Sequence, residues 1–254
     1  MDLTLGYDVL AMLFAIALVA GFLDAMAGGG GLITIPALLL SGVPPLIALA
    51  TNKVQGCSGS LTASIAMIRM GMLRPQDVGW PFLAALIGAV LGAIAIHYVD
   101  AKALDIIIPA VLIGIAVYFI LAPKAGEVDG KPRMGRMAYR TTVIPAIGLY
   151  DGMFGPGTGS FFALAGVALR GQNLVRATAH AKAMNFASNI AAVAVFIASG
   201  KILWIVALSM VCGQVIGASL GSVAVVKGGS KYIRPLIVTM CMIMIGRYFW
   251  QYFR

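Results

Sequence analysis

Apolar positions along this chain fall in long unbroken runs, not in the alternating stripes of a water-soluble domain. Val9 to Ala27 is the first run, and it ends in Gly28-Gly29-Gly30-Gly31. Each glycine costs a helix about 1 kcal/mol relative to alanine, so a helix is expected to stop there. Leu32 to Leu40 follows, a piece only about 13 Å long at a rise of 1.5 Å per residue, roughly half a hydrocarbon core. Gly42, Pro44 and Pro45 then end one helix and open the next. Leu46 to Met70, Trp80 to Val99 and Ala103 to Ala122 are runs of membrane-spanning length. Pro123 to Arg140 is the one long polar stretch, with Lys124, Lys131, Arg133, Arg136 and Arg140. Beyond it the pattern restarts: Thr141 to Phe154, the break Gly155-Pro156-Gly157-Thr158-Gly159, the short run Ser160 to Leu169, and full runs at Leu174 to Ser199, Ile202 to Val226 and Ile233 to Trp250.

The restart is an internal repeat. Laid on 148–158, residues 21–31 place Gly21, Asp24, Met26, Gly28 and Gly30 over Gly148, Asp151, Met153, Gly155 and Gly157. With a two-residue slip, Ala50-Thr51-Asn52-Lys53 meets Ala179-His180-Ala181-Lys182. GxxxG spacings recur at Gly88/Gly92 and at Gly213/Gly217/Gly221. Each half is therefore one broken element plus three full spans, a pattern typical of secondary transporters.

Loop charge bears on whether the broken elements cross or turn back. If each is a re-entrant hairpin and the N-terminus is external, the segments 69–77, 123–142, 170–176 and 227–234 share the cytoplasmic side and carry 12 Lys plus Arg, against 4 on the outside. If the broken elements crossed, 69–77 and 123–142 would join the charge-poor N-terminus. The positive-inside rule favours hairpins and hence inverted repeats. The expected fold is an all-α polytopic membrane protein of two inverted repeats, each a broken, re-entrant helical hairpin plus three transmembrane helices. Residues 1–122 form the first repeat, 123–142 a cytoplasmic linker loop and 143–254 the second repeat, in one integrated transmembrane domain.

Composition agrees. Residues of the AVILMFWYC class make up 61% of the 254 and charged residues only 11%, which excludes a soluble domain and a disordered chain alike. The net charge of +9 lies in loops, with no basic stripe interleaved with aromatics, so it orients the protein and does not point to nucleic acid. Cys57, Cys212 and Cys241 are scattered through apolar segments, so neither a metal site nor a disulfide framework is expected. The N-terminus has no Lys or Arg before its apolar run, so that run reads as a retained span, not as a cleaved signal.

Two charges stand out. Lys53 and Lys182 are repeat-equivalent, and each lies about 12 Å inside its span, too deep to snorkel easily. An intramembrane charge costs at least about 2.5 kcal/mol and usually faces a partner or a cavity. Two readings are open: an ion pair with Asp24 or Asp151, also repeat-equivalent, or contact with a substrate. Polar neighbours support the second. Thr178, Lys182, Asn185 and Asn189 share one helix face, and the first half offers Asn52, Lys53, Gln55, Ser58 and Ser60. Each glycine break precedes a short helix whose free N–H groups and partial positive charge suit an anion. The expected substrate-binding residues are Lys53, Lys182, Thr51, Asn52, Gln55, His180, Asn185, Asn189, Gly29, Gly30, Gly157 and Thr158. Asp24 and Asp151 are expected to support the lysines. Lys182, with the fuller polar face, ranks first. His180 points away from Lys182 on an ideal helix and reaches substrate only if the helix unwinds there.

An intramembrane enzyme and an anion channel are the rival classes. Gly56-Cys57-Ser58-Gly59 loosely resembles the serine motif of intramembrane proteases, but His97 and His180 are poorly placed as its base, and HExxH is absent. No GxxxxGK[ST] motif is present, so transport would draw on a gradient. No cofactor is expected.

The segments GFLDAMAGGGGLITIPALLLSGVPPLIALATNKVQGCSGS (Gly21 to Ser60) and GLYDGMFGPGTGSFFALAGVALRGQNLVRATAHAKAMNFASNI (Gly148 to Ile190) resemble the two signature segments of the sulfite exporter TauE/SafE family, also called the toluene sulfonate uptake permeases. The resemblance extends over the whole chain. It implies a permease of the bacterial inner membrane for small sulfur-containing anions such as sulfite, sulfoacetate or other organosulfonates, with membrane lipid as its surroundings and no nucleic-acid partner. Monomer and homodimer are both compatible with it.

Overall fold

In the computed structural model the described residues are 6–96 and 127–228, with isolated positions 117, 233, 235, 238, 239, 242 and 246. The expected spans Ala103 to Ala122 and Ile233 to Trp250, His97 and Cys241 lie outside the description or are covered only at those isolated positions. The rest is helical, with no strand among the described residues. Helix α1 is Tyr7–Ala27, α2 Gly31–Leu40, α3 Pro45–Arg69 and α4 Pro75–Ala95. In the second half α5 is Ile144–Met153, α6 Thr158–Arg170, α7 Leu174–Ala198 and α8 Trp204–Gly228. Within the described residues the element pattern of the sequence holds, with shifted starts. Pro75 opens α4 five positions ahead of Trp80, because proline at a helix start loses no hydrogen bond. A π-helical stretch, Tyr139–Val143, and the turn Arg136–Ala138 extend α5 backwards into the polar segment.

The short helices fold back. Leu38 and Val43, at the end of α2, pack with Leu13 and Ala17 in the first half of α1. In the second half, the amides of Arg133 and Met134, ahead of α5, donate to the carbonyl of Leu169 near the end of α6 at 2.9 and 3.0 Å. Each broken element is thus a hairpin whose tip is the glycine-rich break.

The two halves exchange partners. α1 packs along α8, and α5 along α4, as the most extensive helix pairs. Small residues make both approaches possible. A Cβ on Gly217 of α8 would stand 2.0 Å from the carbonyl oxygen of Leu18, and one on Gly92 of α4 would stand 2.0 Å from that of Leu149. Such backbone contact is how helices gain dispersion energy in lipid, where burying apolar side chains adds little.

α1, α4, α7 and α8 are long and apolar enough to cross a membrane. Large apolar side chains such as Trp80, Leu91, Ile205 and Leu220 face outward, as they would toward lipid. α3 matches α7 in length, but Thr51, Asn52, Lys53, Gln55 and Ser60 dilute its hydropathy, and all five are buried. The polar residues point inward, the reverse of a soluble protein. This is a membrane protein built around a polar centre.

Candidate functional site at the crossing of the hairpin tips

The tips set the geometry. Gly28 ends α1 at φ 79°, where an L side chain would be strained, and its amide donates to the carbonyl of Asp24 at 2.7 Å. Gly155 plays the same part in the second half at φ 90°. The tips touch: the Ser160 amide donates to the Gly28 carbonyl at 3.3 Å, and the Ser160 hydroxyl donates to the carbonyl of Ala27. A Cβ on Gly159 would come within 2.5 Å of the Gly28 Cα.

Both lysines are fully buried, and each reaches across to the opposite half. Lys53 of α3 donates to Asp151 Oδ1 at 2.7 Å and also to the Asp151 carbonyl. Lys182 of α7 donates to Asp24 Oδ2 at 3.2 Å and to the Asp24 carbonyl. Each ammonium thereby holds the last turn of the helix that enters the other half's glycine tip. The carboxylates have further donors. Asp151 accepts from Thr158 Oγ1 at 2.9 Å, Asn185 Nδ2 at 3.2 Å and the Ser188 hydroxyl. Asp24 Oδ1 accepts the Gly30 amide at 3.0 Å. Buried charges tolerate a membrane interior only with such partners.

Between the pairs lies a cavity of about 20 Å³, room for about one water molecule. Glycines of both tips, Gly28, Gly30 and Gly31 with Gly155, Gly157 and Gly159, form part of its wall. Asn52, Lys53, Gln55 and Gly56 come from α3, Asn185 and Asn189 from α7, Gln214 from α8, and Asp24 and Asp151 complete it. Asn52 is oriented by the Thr34 hydroxyl, which donates to its Oδ1 at 2.5 Å. Gln55 Nε2 donates to Gln214 Oε1 at 2.5 Å, while Gln55 Oε1 is buried without a partner among the described residues. Most first amides of α2 and α6 already donate to carbonyls of the tips: Leu32 to Gly29, Ile33 and Thr34 to Gly30, Thr158 to Gly155 and Ser160 to Gly28. Two ammonium groups are opposed by two carboxylates, so oriented donors, more than net charge, would attract an anion here.

Of the expected site residues, Lys53, Asn52, Gln55, Asn185, Asn189, Gly30 and Gly157 line this cavity, with Asp24 and Asp151. Five others do not. Thr51 is buried and its Oγ1 accepts the Leu203 amide at 3.2 Å, which ties α3 to the start of α8. Thr158 binds Asp151 and Gly155, Gly29 is not among the lining residues, and Lys182 reaches the site only through its bonds to Asp24. His180 differs most. α7 is continuous through it, so the unwinding that would aim it inward does not occur, and its Nδ1 donates to the Arg176 carbonyl at 2.8 Å. Thr178, on the same face as Lys182, is buried with its hydroxyl unpartnered among the described residues. Gln214 was not anticipated. Its sequence signal is one amide in an otherwise apolar span, inside the Gly213/Gly217 stripe that brings α8 against α1.

Helix breaks that meet at buried charges, set among outward-facing apolar helices, make this an all-helical membrane protein with a polar centre. The comparisons with known proteins identify the group. The sulfite exporter TauE/SafE family model matches residues 13–248, and the chain belongs to that family. A probable membrane transporter protein of Haemophilus influenzae is 44% identical over 96% of this chain and 95% of its own. Another from Sinorhizobium sp., ORF9, is 45% identical over 96% and 93%. The probable membrane transporter protein YfcA of Escherichia coli K12 is 44% identical over 94% and 89%. No solved structure matches the chain.

Proposed function

We propose that the protein is a secondary transporter that moves small sulfur-containing anions, such as sulfite, sulfoacetate or other organosulfonates, across the bacterial inner membrane by alternating access. The observation that carries this reading is the exchange of buried ion pairs between the halves, Lys53 with Asp151 and Lys182 with Asp24, around a cavity walled by both glycine tips.

An ammonium group has three N–H donors, and Lys53 gives two of them to Asp151. The third, with the side-chain amides of Asn52, Asn185, Asn189 and Gln214 and the amides of the tips, would take the place of the anion's hydration shell. The cavity is too small for a sulfonate, so binding requires the tips to part. Because each ion pair spans both halves, that parting strains both pairs together. This links occupancy to a movement of one half against the other, as alternating access requires.

The hairpins are read as re-entrant and the halves as inverted repeats, with the N-terminus outside. The face that gathers Arg69, Arg74, Arg136, Arg140, Arg170, Arg176 and Lys227 is then cytoplasmic, and Lys201 is external, in keeping with the positive-inside rule. The test is uptake of radiolabelled sulfite into proteoliposomes holding the purified protein. Saturable uptake that excess sulfoacetate competes away is expected. Sulfite flux equal to that of protein-free liposomes, with the same result for the organosulfonates, would overturn the reading.

A further inference from the structure

We propose that the arginine-lined mouth between α5 and α7 is a second oxyanion site, outside the central cavity and sharing no residue with it. The mouth is a concavity of about 300 Å³, on the order of ten water volumes. Arg136 and Arg140 enter it from the helical segment that leads into α5, Arg170 from the end of α6 and Arg176 from the first turn of α7. Asp77 and Asp129 are the carboxylates of the wall.

Three observations make this more than a basic loop region. The charges do not cancel: among the described residues none of the four arginines forms an ion pair, since the ion pairs are the two Lys–Asp pairs of the centre. Asp129 is turned elsewhere, accepting the Asn173 amide at 2.7 Å and its Nδ2 at 3.1 Å. Second, the spacing is that of a wall. Arg136 and Arg140 stand about one turn apart, Arg140 within the π-helical stretch Tyr139–Val143 that leads into α5. Arg176, His180 and Met184 form the facing row on α7. Third, the floor is closed. Ile144 is 0% and Met184 4% exposed, so the positive groups converge on a pocket that ends in apolar side chains short of the central site.

Convergent guanidinium groups in a concave low-dielectric wall focus the field on a bound anion, and their planar forks match the oxygens of a tetrahedral oxyanion. The ligand class is a sulfate-, sulfite- or phosphate-like group. A free oxyanion and the phosphate of an anionic lipid headgroup share that chemistry. The inference does not depend on what the protein transports.

Binding of inorganic sulfate to the purified full-length protein, by titration calorimetry at low ionic strength, tests it. In nanodiscs of phosphatidylcholine, saturable binding is expected. The Arg140→Gln/Arg176→Gln variant should weaken it at least tenfold, while Lys201→Gln, in the turn between α7 and α8, should leave it. If the double arginine variant does not fold, Arg176→Gln alone, at the exposed start of α7, should weaken binding several-fold. Retention of sulfate binding in phosphatidylglycerol nanodiscs would assign a free oxyanion; loss there alone would assign the lipid phosphate. The proposal is overturned if wild type binds no sulfate in phosphatidylcholine, if Lys53→Met/Asp151→Asn in the central site removes all of it, or if Arg69→Gln, outside the mouth, weakens it as much as the arginine pair.

Discussion

Lys53 Nζ and Asp151 Oδ1 are 2.7 Å apart across 98 positions of sequence, and Lys182 answers with Asp24 at 3.2 Å across 158. Each lysine belongs to the half whose own tip it does not hold. An ion pair inside one half would have stabilised that half alone. The exchange instead makes each tip depend on a helix of the other half.

Removing one partner of a buried pair leaves an uncompensated charge, at a cost of about 3–5 kcal/mol. Lys53→Ala is therefore expected to lower the thermal midpoint of the purified protein sharply. Lys53→Ala/Asp151→Ala should recover most of the loss, whereas Lys53→Ala/Asp24→Ala should not. Equal recovery by both double variants would show that the exchange of partners is not what stabilises the tips.

The tips make a second prediction through backbone contact. Gly159→Ala would drive a methyl group to within 2.5 Å of the Gly28 Cα, where backbone leaves nothing to yield. Loss of folded protein, or a greatly lowered midpoint, is expected by size-exclusion chromatography and thermal melting. Gly79→Ala in α4 meets nothing within 4 Å and should be neutral or slightly stabilising, since alanine is favoured over glycine in a helix by about 1 kcal/mol. Similar behaviour of the two variants would contradict the contact between the tips.

Much of this architecture is legible in the sequence because its causes are local. Glycine runs stop helices wherever they occur, and a lysine about 12 Å inside an apolar run signals its own cost. Hence the breaks at Gly28 and Gly155 and the charges at Lys53 and Lys182 announce themselves. Partner choice is not local. Nothing near Lys53 distinguishes Asp24 from Asp151; the choice follows from α1 packing on α8 and α5 on α4. The same gap explains Thr51 and Gln214. The face on which a polar side chain lies can be read, but not whether it meets a cavity or the end of a neighbouring helix. His180 is the reverse case, since its i−2 offset from Lys182 already turned it away from the centre.

Sidedness can be tested directly. Val128 is 77% exposed beside the basic mouth, and Lys201 is exposed in the turn between α7 and α8. In a background with the native cysteines replaced, Val128→Cys should react with a membrane-impermeant maleimide only after cell disruption, and Lys201→Cys in intact cells. Labelling of both from the same side would refute the re-entrant, inverted arrangement.

The two lysines should not contribute equally to binding. Lys53 lines the cavity and Lys182 does not, although Asp24, its partner, does. Neutralising a whole pair avoids an orphan charge, so its effect on binding can be separated from folding. In Lys53→Met/Asp151→Asn the cavity loses an ammonium donor. Hydrogen bonds to charged groups contribute about 1.5–3 kcal/mol, which corresponds to about ten- to a hundredfold in affinity. Sulfite binding is expected to weaken by at least tenfold. In Lys182→Met/Asp24→Asn the cavity loses a carboxylate that repels an anion, while the lost ammonium lies behind the wall. Sulfite affinity should then stay level or rise, provided the melting curve stays cooperative. Titration calorimetry of sulfite on both double variants decides. A tenfold loss in the second with none in the first would reverse the assignment and put Lys182 at the substrate.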